Sequence, residues 1–221
     1  MKKILALLLV LFISLSLFAS DEYSVVIGRK RSNQTFNHHF FSMEAKVDKF
    51  SFALMENGGD YLGIDTSYES DFSSHFHWNT GATLNYFTAG ALSLLIKGNI
   101  NVDYGTESVY LNLGVGVQGG VLKYSELDRI LFSLSPLSNI EVNLKAGRNT
   151  FSFGMMLDFK YERQFKAVES FYFNARRDFS SYFAFSAEVW GRGAEYLMDP
   201  WLNFQSYGVI MKFTLKDGKS L

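Results

Sequence analysis

Long runs with a period of two dominate this chain. In NTFSFGMMLDFKYERQ, Asn149 to Gln164, the residues Phe151, Phe153, Met155, Leu157, Phe159 and Tyr161 take every second position, and Ser152, Gly154, Met156, Asp158, Lys160 and Glu162 lie between them. Successive side chains of a strand point to opposite faces, so this ribbon has one apolar stripe and one polar, charged stripe. The pattern recurs along the chain. Leu92, Leu94, Ile96, Gly98, Ile100, Val102 and Tyr104 alternate with Lys97, Asn99, Asn101 and Asp103. Val109 to Gln118, Ile140 to Ala146, Phe183 to Val189 and Gly208 to Leu215 repeat it, and shorter versions run through Phe41–Val47, Phe50–Leu54, Leu62–Glu69 and Trp78–Phe87. No stretch after the first twenty residues supports a helix, so the chain reads as all-β.

Alternation alone fits a soluble sandwich too, and the contents of the faces decide. Here the apolar faces hold five to seven positions in the best strands and are nearly free of charge. These strands reach about ten or more residues, the length a tilted strand needs to cross a bilayer; strands of soluble domains more often have about 5–6. A sheet in lipid cannot leave backbone groups unpaired and must close on itself. The expectation is a single closed antiparallel transmembrane β-barrel over residues 21–221, apolar outside and polar within. Tyr23, Tyr68, Trp78, Tyr104, Tyr161 and Tyr207 near strand ends suit interfacial girdles. About thirteen strand candidates are visible, and a barrel with both termini on one side needs an even number. Either Asp48–Lys49 is a bulge within one strand, or Arg129–Ser135 is not a full strand, or a further strand precedes Trp201. We expect 12 strands, with 10 and 14 as alternatives. Asn57–Asp60, Thr88–Gly90, Tyr104–Thr106, Pro136–Asn139, Gly147–Asn149 and Arg177–Asp178 read as turns, and Gly191–Pro200 as the longest loop.

The opening MKKILALLLVLFISLSLFAS has a basic start, an apolar run and small residues at Ala19 and Ser20, which reads as a secretory signal peptide over residues 1–20. Without Lys2 and Lys3 the chain carries 19 basic and 22 acidic residues, a net charge of −3 that suggests no nucleic-acid partner. There is no cysteine, hence no disulfide and no thiolate metal site. The 22 Phe, 12 Tyr and 18 Gly against 2 Pro suit strands joined by many turns.

In the last strand, Ser206, Gly208, Met211 and Phe213 follow the order polar, any, glycine, any, any, apolar, any, aromatic. This resembles the C-terminal signal of Gram-negative outer-membrane barrels, and the resemblance implies that the barrel-assembly machinery recognises this strand. It departs in one respect: such proteins usually end at or near the aromatic residue, and here Lys216–Leu221 follow.

Few residues carry recognisable chemistry. Gly114-Val-Gly116-Val-Gln-Gly119 has dinucleotide-fingerprint spacing, but it lies inside an alternating strand where no helix follows, so Gly114 and Gly116 read as lumen space for larger neighbours such as tyrosine or arginine. No cofactor is implied. His75 and His77 have the spacing that puts two rings on one strand face, a weak metal pair; His38 and His39 complete the four histidines. The His-x-Ser pair of outer-membrane phospholipases and deacylases is absent, as are the Asp-x-Asp and Asp-x-His pairs of omptin proteases. His38, Ser42, Asp71, His75 and His77 are the residues from which a lipid-modifying enzyme could be built. The polar face carries both signs: Glu44, Lys46, Asp65, Lys97, Asp103, Glu141, Lys145, Asp158, Lys160, Glu162, Glu188 and Lys212. These would line a weakly selective pore for ions and small solutes, or fill the lumen of a structural or surface barrel with paired charges. The expected surroundings are outer-membrane lipids. A lipid-modifying hydrolase or acyltransferase and a soluble lipocalin-like carrier are the alternatives.

Overall fold

The computed structural model describes residues 21–32, 37–57, 61–88, 90–124, 130–161, 165–192 and 206–217. The expected signal peptide, Glu162, the loop after Arg192 and the chain beyond Asp217 lie outside them. Twelve strands follow in order: β1 (Glu22–Ser32), β2 (Asn37–Val47), β3 (Phe50–Asn57), β4 (Tyr61–Asp71), β5 (Phe76–Phe87), β6 (Ala91–Gly105), β7 (Val109–Tyr124), β8 (Ile130–Ala146), β9 (Asn149–Tyr161), β10 (Phe165–Asp178), β11 (Phe183–Arg192) and β12 (Ser206–Lys216). Each pairs antiparallel with the next, and β12 pairs back onto β1 from Glu22↔Lys216 to Ser32↔Ser206, closing the barrel.

Closure satisfies the backbone without water, as a lipid-embedded sheet requires. One rim is built of short connections. Asp48–Lys49 is a two-residue turn in which Asp48 takes a φ of +51°, so it separates two strands and is not a bulge. Gly147–Arg148 turns β8 into β9, with Gly147 at +59°. The start of β1 and the end of β12 meet on this rim, where Asp217 N donates to Asp21 O at 2.8 Å.

The expected turn at Pro136–Asn139 does not exist. These residues lie inside β8, which pairs with β7 from Ile130↔Lys123 to Leu144↔Val109. Proline cannot donate to a ladder. Pro136 sits one residue beyond the last β8–β9 pair, Leu137↔Asp158, where β8 has only β7 beside it among the described residues. The described part of the first candidate, from Ile130 to Ser135, and Ile140–Ala146 therefore belong to one strand, which reduces thirteen candidates to twelve.

The barrel inverts the usual distribution of a soluble domain. Ile96, Ile100, Val115, Phe153, Val189 and Val209 are exposed on the outer face, Val115 at 65%. The described buried groups include Ser24, Ser42, Asn101, Ser135, Asn143 and Thr214, which point inward. Phe50, Tyr68, Trp78 and Phe72 form a run of ring contacts near the short-turn rim, with centroids 4.7, 5.3 and 6.1 Å apart, and Tyr104 is exposed there as well. This is an aromatic girdle below an apolar band, the surface of a membrane-spanning barrel.

Val115→Arg, on the outer face, is expected to lower stability in bilayers by about 2–4 kcal/mol. Gln118→Arg, on the inner face of the same strand, should cost far less. Equilibrium refolding into lipid vesicles measures both.

Candidate functional site

The inward face is a connected polar lining, assembled mainly by register. Near the short-turn rim, Asp71 and His77 stand directly opposite each other on β4 and β5. His77 Nδ1 lies 2.5 Å from Asp71 Oδ1, and its Nε2 lies 2.8 Å from Asp103 Oδ2 on β6. Ionised carboxylates only accept, so both ring nitrogens face acceptors. Asn112 Nδ2 donates to Asp103 Oδ1 at 2.6 Å, and Asn139 Nδ2 donates to Asn112 Oδ1 at 3.0 Å. One chain of polar contacts thus crosses β4, β5, β6, β7 and β8.

A second network sits deeper. Tyr172 on β10 reaches across β9 and donates its hydroxyl to Glu141 on β8. It can do so because β9 has Gly154 beneath the ring; a Cβ there would collide with Tyr172. Asn143 Nδ2 also donates to Glu141, at 2.6 Å, and Ser152 Oγ donates to Asn143 Oδ1 at 2.5 Å. On the adjoining wall Asn174 Nδ2 donates to Glu188 at 3.3 Å, and Lys212 pairs with Glu44 across β12, β1 and β2. Ser24 on β1 and Thr214 on β12 share a hydrogen bond of 3.0 Å.

The sequence-derived residues fall as follows. Lys97 faces inward with its Cε close to Gly81, and Asp103, Glu141, Glu188 and Lys212 hold the contacts just given. Lys145 is exposed at the rim, its backbone N donating to Ser108 O at 2.7 Å. Asp158 and Lys160 belong to β9, but their side chains lie outside the described residues. Ser206, Gly208, Met211 and Phe213 are all on β12. Met211 and Phe213 face outward, Phe213 packing on Phe185 at 5.2 Å, while Gly208 faces inward against the Trp190 ring.

Three expectations change. Gly114 and Gly116 do leave space inside the barrel, but their neighbours are the carboxamides of Asn101, Asn139 and Asn99 and not tyrosine or arginine. His75 and His77 do not share a strand face, because β5 begins at Phe76 and His75 is in the preceding turn. Asp71 and Asp103 approach opposite nitrogens of His77, so the three do not converge on an ion; among the described residues no group of three such side chains could hold a metal. The links through Asp71, Asn112 and Tyr172 were missed. Gly154, paired with Glu141 on one side and with the inward Tyr172 on the other, was the one available signal for that link.

No established family profile matches the sequence, and no characterised protein matches it closely in sequence. Solved structures do match. A NanC porin superposes with a TM-score of 0.63 at 11% identity, covering 88% of this chain and 100% of the other. A KdgM porin in complex with disordered oligogalacturonate gives 0.58 at 8% identity, with 88% and 99% covered. The translocator domain of autotransporter NalP from Neisseria meningitidis gives 0.54 at 8% identity, with 89% and 86% covered. The fold is that of bacterial outer-membrane β-barrels, porins among them.

Tyr172→Phe removes a donor to a carboxylate and is expected to cost about 1.5–3 kcal/mol. Gly154→Val should cost at least as much by evicting the ring, and Tyr172→Ala should partly rescue it. Urea unfolding of the refolded barrel in vesicles gives all three values.

Proposed function

We propose that this protein is a small pore of the bacterial outer membrane, conducting ions and small solutes. The observation that carries the reading is the state of the lumen at mid-height: the Lys212 and Glu44 side chains, deep inside the barrel, keep 38% and 34% of their surface open to solvent. Twelve strands lie between the eight of barrels filled by their own side chains and the sixteen to eighteen of wide porins, and so suit a narrow channel. Residues 1–20 serve as the export signal, and the β12 pattern at Ser206, Gly208, Met211 and Phe213 serves for recognition by the barrel-assembly machinery. The porin likenesses support the same direction at the level of fold.

The competing readings fit less well. A serine hydrolase needs a histidine nitrogen to activate its nucleophile. Both His77 nitrogens are taken by Asp71 and Asp103, which removes this one histidine from such a role. A soluble carrier would keep its apolar face inside, and here that face is outside.

The test is conductance across a planar bilayer with refolded residues 21–221, insertion being confirmed separately by protease protection. Stable unitary steps are expected. Silence despite insertion would overturn the pore reading and favour a barrel closed by its own lumen network.

A further inference from the structure

The middle of the lumen carries an unbalanced charge whose effect on the pore has a definite sign. Glu44, Ala53 and Asp65 stand in one cross-strand row over β2, β3 and β4. Glu44 is joined to Lys212 on β12, Glu188 faces inward on the neighbouring β11, and Glu141 faces inward on β8. Lys97, inward on β6, completes the level from the facing wall, its stem against Gly81. Arg176 and Lys46, in the cross-strand rows of Lys212 and Lys97, are matched by Asp178 and Glu69, and Asp103, in the row of Glu141, belongs to the His77 network. The other described inward positions around this level are neutral, among them Val26, Ser42 and Ala53, with Asn99, Asn101 and Asn139 on β6 and β8. Outside those pairs, the carboxylates of Glu44, Asp65, Glu141 and Glu188 face the ammonium groups of Lys97 and Lys212 among the described side chains.

The partners of the carboxylates matter more than the count. Asp65 receives the hydroxyl of Thr83; Glu141 receives Tyr172 and Asn143; Glu188 receives Asn174. All these donors are neutral. They hold and orient each carboxylate without cancelling its charge, and none of the described ion pairs involves these three residues. Glu44 alone is matched by a cation. In a narrow lumen with low-dielectric walls, a fixed excess of one sign is focused and raises the local concentration of counter-ions.

We infer that the waist of this barrel is a cation filter, set by Asp65, Glu141 and Glu188 held on neutral hydrogen-bond donors, so that small cations pass in preference to anions. The inference rests on the pore reading and deepens it. Glu141 and Glu188 are the chief specificity-determining residues, because each projects into the lumen on neutral donors, from β8 and β11 with β9 and β10 between them. The carboxamides of Asn99, Asn101 and Asn139, on β6 and β8, offer uncharged solutes donors and acceptors.

The measurement is the reversal potential of single channels in a potassium chloride gradient. Potassium is expected to permeate several-fold better than chloride. Glu141→Gln with Glu188→Gln keeps shape and hydrogen bonding, leaves two carboxylates against two ammonium groups, and should bring the ratio close to one. Glu188→Lys should favour chloride. Unitary conductance in every variant certifies that the barrel is folded and inserted. A conducting protein that prefers chloride or neither ion, or one whose ratio is unmoved by the double substitution, overturns the filter and leaves the pore standing. Silence in the inserted parent protein overturns the pore and the filter together.

Discussion

Everything in this structure depends on one constraint, that each backbone N–H and C=O facing lipid has to be paired within the protein. The β12–β1 ladder meets it, running eleven pairs from Glu22↔Lys216 to Ser32↔Ser206 and joining the chain's two ends into the wall. Once the sheet is closed, each strand has an outside and an inside, and alternation along the sequence becomes a division between solvents. The outward residues need only be apolar and interchangeable. The inward ones must satisfy one another or water, and there the sequence becomes particular.

That particularity takes the form of glycines and carboxamides. Gly154 lets Tyr172 lie across β9, so that β8 and β10, which are not neighbours in the sheet, are tied through Glu141. Gly114 and Gly116 give room to Asn99, Asn101 and Asn139. Without an apolar core, these networks are what stiffens the cylinder from within. Buried polar chains of this kind strengthen one another when complete and are costly when broken. The same bonds fix the charges that a passing solute meets, so stability and selectivity share residues at Glu141 and Glu188.

Fold and site were legible in the sequence to different degrees, for physical reasons. β6, β7 and β9 could be read directly, because lipid imposes one long apolar face and that face has period two. β8 could not, because Pro136 signals a break unless it is known that its missing donor falls beyond the last β8–β9 pair. The inward residues were legible as a class, since alternation assigns Lys97, Asp103, Glu141, Glu188 and Lys212 to one side. Their partners were not. Asp71–His77–Asp103 forms only when the β4–β5 and β5–β6 registers are both set, and Tyr172–Glu141 depends on two registers and a glycine between them. Local pattern carries no information about register beyond the nearest turn.

The central claim is that the two faces of each strand meet different solvents, and the chain's lack of cysteine makes it directly testable. Single cysteines placed in turn from Ile96 to Asn101 on β6, in protein reconstituted into vesicles, would be exposed to a membrane-impermeant thiol reagent. The account predicts labelling at 97, 99 and 101 and protection at 96, 98 and 100. Protection of the odd positions with labelling of the even ones, or uniform labelling along the strand, would contradict it.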